Sequence, residues 1–343
     1  MTLPDFRYEP VPFADLLGWA DDDHWAAFVA FSASAHVVGG AVGRAEASAS
    51  GVVTADQARI FFEAHFRPHR VVQTRARGLL TGYYEPVIAG SLERTAQFTV
   101  PIYQRPGDLE NVVAESERGA KSSGLTHVRR TARGVEPYAT RREIEEGALA
   151  GLGLELCYLV DPVDAFFLQV QGSGVIALPD GRLMRVTYDG KNGHPYMSVG
   201  RVLIDEGVFA ADQVTLQRLT DWLRADPERA RPVLWRNESF VFFRALEGDH
   251  AVGVLGTPLH EGRSLAIDTA FHALGLPIYA VAPGMAHVGP DGLRRLMVAH
   301  DVGSAIKGPE RGDVYFGTGD AAFVLAGVTK HPVTFFVLLP VEP

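Results

Sequence analysis

Apolar residues recur at helical spacing from Pro12 to about Phe66: Phe13, Leu16, Leu17 and Trp19, then Trp25, Phe28, Val29 and Phe31, then the stretch from Ala55 to Phe66. Thr54 with Gln57 three residues later predicts a capping box for the last of these helices. The aromatic stripes predict helices packed into a core. After Leu79 the character changes to short β-branched and aromatic runs punctuated by glycine and proline, which predict strands, among them residues 98–103 and 166–171. Residues 118–134, rich in Arg, Ser and Thr, read as an exposed loop, and Thr140 with Glu143 predicts a capped short helix. Helical periodicity returns over 197–206 and 212–225, the latter ended by Asp226-Pro227. Strands are then predicted at 239–243, 252–255, 264–267, 278–282, 296–301, 313–316 and 333–339, a spacing that suggests a barrel.

The chain has 343 residues, enough for two domains with cores of their own. Its formal net charge of -9 argues against a nucleic-acid binder, whose surface must neutralise phosphates. Cys157 is the single cysteine and lies in an apolar run, so a buried thiol and no intrachain disulfide are expected. His65 and His69 are separated by Pro68 with no glutamate between them, and cysteine pairs are absent, so no metal is expected. Neither a phosphate-binding loop, a dinucleotide fingerprint nor a nucleophile elbow occurs. Residues 1–6 carry none of the marks of a secretory signal, no lipid-accepting cysteine follows, and no stretch is apolar enough to span a membrane as a helix.

The candidate chemistry begins with residues 297–317, where Asp301 and Asp313 stand on predicted strands joined by a glycine-rich turn that includes Lys307. A strand-borne carboxyl half-buried beside such a turn can keep its proton and still meet a ligand, whereas a plain hairpin with surface aspartates is the simpler reading. Thr81-Gly82-Tyr83 combines a hydroxyl, a close backbone approach and an aromatic face. Gln171-Gly172-Ser173-Gly174 and Asp189-Gly190-Lys191-Asn192-Gly193 offer amide, hydroxyl and carboxylate groups on turns, although Asp189-Gly190 by itself reads as a common hairpin turn.

Read in order, these segments together with Tyr138-Ala139-Thr140-Arg141-Arg142-Glu143, Asn237-Glu238-Ser239-Phe240 and Gly262-Arg263-Ser264-Leu265-Ala266-Ile267-Asp268 resemble the membrane-bound lytic murein transglycosylase A family from about Leu80 to Gly319. That family ends in a so-called 3D domain, whose three aspartates match Asp268, Asp301 and Asp313. The resemblance implies a mainly β fold. Residues 1–83 and 244–343 would form a discontinuous double-psi β-barrel with N-terminal helices, its 3D domain at about 262–319, and residues 84–243 an inserted β-domain forming the other wall of a substrate groove. It also implies cofactor-free cleavage of peptidoglycan glycan strands between N-acetylmuramic acid and N-acetylglucosamine, giving 1,6-anhydromuramyl products, with Asp313 as acid and base and Asp301 as its neighbour. Thr81, Gly82, Tyr83, Gln171, Ser173, Asp189, Lys191, Asn192, Lys307 and Asp268 would contact substrate; the other readings are a purely structural role in tight turns for Asp268 and Asp301, and pairing with Asp301 for Lys307. A periplasmic location facing the outer membrane, peripheral association with the envelope and participation in wall-synthesis or lysis complexes follow from the same resemblance. Hydrolysis by water, or wall binding without catalysis, are the alternatives.

Overall fold

The computed structural model describes residues 6–47, 49, 51–73, 77–112 and 125–341, and divides the chain into two compact units. The first draws on Met1–Tyr83, Val252–Gly317 and Val324–Pro343; the second on Tyr84–Ala251 and Thr318–Phe323.

In the first unit a nine-stranded sheet runs in the order Phe6–Pro10, Phe66–Gln73, Thr334–Pro340, Pro277–Ala282, Leu293–Val302, Ser264–Ile267, Arg311–Thr318, Leu79–Glu85 and Lys330–Pro332. Ser264–Ile267 is parallel to Leu293–Val302 on one side and antiparallel to Arg311–Thr318 on the other. The strand expected at 252–255 is instead a turn: Gly253 N donates to Thr257 O, Gly256 adopts a positive φ, and only a single bridge joins Val252 to Pro258.

The helical pattern before Phe66 gives helices His24–Val38, Gly40–Ala47 and Ala55–His65, the last with the expected Thr54–Gln57 capping box. Phe31, Phe62 and Phe66 are fully buried, and the Phe31 and Phe66 rings meet edge to face at 5.6 Å. Burial of each such ring contributes about 1.5–3 kcal/mol. Trp25 departs from the expected core stripe and is 38% exposed. A buried ion pair ties the N-terminal segment to the sheet: Arg263 donates through both terminal nitrogens to Asp22 at 2.9 Å, and Leu296 N donates to the same carboxylate at 2.7 Å.

The second unit holds a six-stranded sheet in the order Val241–Leu246, Leu183–Lys191, Ser173–Ala177, Val87–Ser91, Glu155–Leu159 and Val100–Tyr103. Ile102, Cys157, Leu159, Ile176 and Phe243 fill its core, and burial pushes the Cys157 thiol up to about 12. Pairing of Val241–Leu246 with Leu183–Lys191 carries this unit past Phe243.

Three expectations are corrected here. Residues 166–171 belong to the helix Pro162–Gln171, because Asp161 caps Val163 N, Pro162 occupies the first turn and Gly172 closes the end in a left-handed conformation. Of the expected loop 118–134, residues 118–124 lie outside the described residues; His127–Thr131 and Gly134–Glu136 are strands that pair with each other, and the former also pairs with Leu109–Asn111. Asp226-Pro227 does end the helix Leu216–Ala225, but it also starts another, Pro227–Trp235, with Asp226 as its cap.

Candidate active site

The site is built on the central strands of the first unit. Ala266 pairs with Asp301 on one side and with Asp313 on the other, so both aspartates flank one small residue across the sheet. Side chains directly across a ladder point to the same face, and two strand spacings place their Cα atoms roughly 10 Å apart. The register slips between Leu265 and Ala266, which pair with Ala299 and Asp301, leaving His300 as the extra residue. That bulge turns Asp301 to the face of Asp313. It also sends His300 into the core, where it bonds Ser264 Oγ at 2.7 Å and Ser34 Oγ at 2.9 Å. Burial pushes His300 down to about 3, so it is neutral there.

Strand Leu79–Glu85 supplies the remaining partners, because Thr81 and Tyr83 share one of its faces. Thr81 Oγ1 donates to Asp313 Oδ1 at 2.6 Å, and Tyr83 OH donates to Asp301 Oδ2 at 3.1 Å. Asp301 Oδ1 accepts from Val302 N at 2.9 Å and Val254 N at 3.2 Å. Arg311, two residues before Asp313 on the same strand face, donates to Thr81 Oγ1 at 2.8 Å and to the carbonyl of Gly312.

Burial pushes Asp313 up to about 6 against the opposing pull of Arg311 and Thr81. Burial likewise raises Asp301 to about 6, opposed by its backbone and Tyr83 donors and assisted by the charge of Asp313. The Tyr83 phenol is raised well above its ordinary value by burial and then by both carboxylates, so it acts as a donor. Two carboxyl groups that exchange protons near neutral pH on one face of a sheet can carry acid and base chemistry.

Thr81, Tyr83, Asp301 and Asp313 are thus brought together. Gly82 serves packing: a Cβ there would lie 2.4 Å from the ring of Phe316. Asp268, expected either to contact substrate or to hold a turn, is 3% exposed and accepts from Ala270 N at 3.1 Å and Gly308 N at 2.8 Å, holding a tight turn to the 303–308 loop. Lys307 stands exposed on that loop.

In the second unit Gln171 Oε1 accepts from Tyr84 N at 3.1 Å, and Ser173 is buried at the start of a strand. Asp189-Gly190 is no hairpin turn but a bulge within Leu183–Lys191, opposite Val241–Leu246, with Arg105 donating to Asp189 O at 3.0 Å. Lys191 is buried on the same strand. Asn192, expected from sequence to contact substrate, is fully buried as an internal clamp: it donates to Ala139 O at 2.9 Å and Glu238 O at 2.8 Å, and accepts from Phe240 N at 2.9 Å. Among the described residues no group of three or more His, Cys, Asp or Glu is placed to hold a metal ion.

Arg311, Ala266 and His300 were not singled out by sequence. The i, i+2 spacing of Arg311 and Asp313 was the available signal for the first; the bulge that gives the other two their places leaves no mark in the sequence.

The MltA specific insert domain model matches residues 79–244 and the 3D domain model matches residues 263–339. A crystal structure of membrane-bound lytic murein transglycosylase from Agrobacterium tumefaciens is 33% identical, covers 97% of each chain and superposes with a TM-score of 0.88. The chain belongs to the membrane-bound lytic murein transglycosylase A family. The family member from Vibrio cholerae is 34% identical over 258 residues, which make up 74% of this chain and 63% of that protein. The Escherichia coli member, solved with bound chitohexaose, is 27% identical, covers 100% of this chain and 94% of that one, and has a TM-score of 0.72. The mainly β architecture, with a double-psi barrel and an insert domain, is that of the family's solved structures. Among the described residues no helix is long and apolar enough to cross a membrane.

Proposed function

We propose that the chain is a lytic transglycosylase of peptidoglycan glycan strands, with Asp313 as the single acid and base. Protonated Asp313 gives its proton to the oxygen bridging N-acetylmuramic acid and N-acetylglucosamine, and the glycosidic bond breaks. The carboxylate then takes the proton of the muramic 6-hydroxyl, whose oxygen bonds to its own anomeric carbon and closes the 1,6-anhydro ring. Intramolecular attack carries a large effective concentration, so no protein nucleophile is needed. The observation that carries this reading is the half-buried Asp313, raised to about 6 and hydrogen-bonded to Thr81. Support also comes from the family names of its relatives and from chitohexaose, an oligosaccharide, bound to the Escherichia coli protein. Lys307 in the first unit, and Gln171 and Asp189 in the second, retain solvent access and are sugar-contact candidates. Peripheral association with the cell envelope on its periplasmic side, and wall-synthesis or lysis complexes, accompany this function.

Asp301, also raised to about 6, supports a second reading in which it activates water for hydrolysis. Mass spectrometry of products from purified peptidoglycan separates the two. Anhydromuramyl fragments from wild type and none from Asp313→Asn are expected. Reducing muramyl ends would mean hydrolysis, and no fragments from folded wild type would mean a binding module.

A further inference from the structure

We propose that Arg311 is a positioning residue that fixes the direction of the Thr81 hydroxyl and thereby confines the proton of Asp313 to Oδ2. The inference rests on Asp313 being the acid of the reading above. A guanidinium only donates, so at the 2.8 Å contact with Arg311 Nη2 the Thr81 oxygen must accept. The single proton of Thr81 is then directed at Asp313 Oδ1, 2.6 Å away, within the range of a charge-assisted bond to a carboxylate. The reverse arrangement, a proton on Oδ1 donated to Thr81, would strand the hydroxyl proton, since Thr81 Oγ1 has no other partner among the described residues.

Arg311 is itself held by its bond to the carbonyl of Gly312, on its own strand. The other titratable groups around Asp313 are Tyr83 on Leu79–Glu85, Tyr315 two residues along its own strand with its ring 5.3 Å from that of Tyr83, and Asp301 across Ala266. With Oδ1 committed as an acceptor in both protonation states, Oδ2 alone gives the proton to the leaving oxygen and alone takes it back. Thr81, expected from sequence to touch sugar, acts instead through the acid.

The test compares wild type, Thr81→Val, Thr81→Ser and Arg311→Met by two readouts: titration of the Asp313 carboxyl by carbon-13 NMR in the free protein, and kcat/KM against pH on purified peptidoglycan. A lost hydrogen bond to the carboxylate raises the Asp313 midpoint by about one pH unit in Thr81→Val. Arg311→Met, which also removes a positive charge, shifts it in the same direction, and Thr81→Ser stays with wild type. In the two disrupted variants the alkaline limb of activity moves up with the midpoint while the plateau falls about tenfold. An unmoved midpoint in folded Thr81→Val and Arg311→Met, or Thr81→Ser behaving as Thr81→Val, would overturn the proposal. If Thr81→Val does not fold, Arg311→Lys, which keeps the positive charge but loses the guanidinium's fixed geometry, carries the same test. A midpoint that moves with cleavage unchanged would uphold the relay and overturn Asp313 as the acid.

Discussion

Asn192→Ala separates a clamp from a sugar contact. The side chain makes three hydrogen bonds, to Ala139 O, Glu238 O and Phe240 N, and none of it meets solvent. At a net of about 1 kcal/mol each, their loss destabilises the second unit by about 3 kcal/mol. A unit of this size loses about 3 °C per kcal/mol, so its transition should fall by about 9 °C in scanning calorimetry. Binding to purified peptidoglycan at a temperature well below that transition should stay at the wild-type level. A melting point within about 2 °C of wild type together with weakened binding would refute the reasoning and return Asn192 to the substrate.

Two further outcomes follow from the first unit. Asp313 titrates near pH 6 in the fold, against about 3.9 unfolded, so between these values the folded state holds more protons than the unfolded one. The carboxylate therefore costs nothing below pH about 4 and its full penalty above about 6, at most about 3 kcal/mol before solvent screening is discounted. Asp313→Asn should melt higher than wild type at pH 8 and level with it at pH 4; an equal gap at both would contradict the burial argument. Gly82→Ala places a methyl against Phe316 and within 2.9 Å of Ala326 Cα, so a loss of about 1–3 kcal/mol is expected in denaturant titration. An unchanged midpoint would mean that the strand yields freely.

Much of the site was legible because its residue types do local work that spacing reveals. Thr81 and Tyr83 stand two apart on a strand, and Thr140 with Glu143 forms the expected capping box. What escaped was set by tertiary pairing. The apolar run 166–171 fits a buried strand or a buried helix equally well, and the decision lay outside it, in Asp161, Pro162 and Gly172. Asp189-Gly190 has turn chemistry, yet the ladder with Val241–Leu246 continues through it, with Asp189 as the bulged residue and Gly190 opposite Phe242. Asn192 looked like a ligand reader because a buried amide and a sugar-binding amide use the same donors and acceptors; only its neighbours tell them apart.

The strand Phe66–Gln73 pairs with Thr334–Pro340, with Arg70 opposite Phe336. During synthesis, that closure has to wait until the last strand has left the ribosome, while most of the second unit, Tyr84–Ala251, is already complete. The helices and strands before Leu79, which precede both family-matched segments, pair among themselves early but are made well before Thr334–Pro340, the strand that closes on them. Until then Phe31, Phe62 and Phe66 can cover one another, ring against ring, but Phe66 lacks its strand partner Pro340.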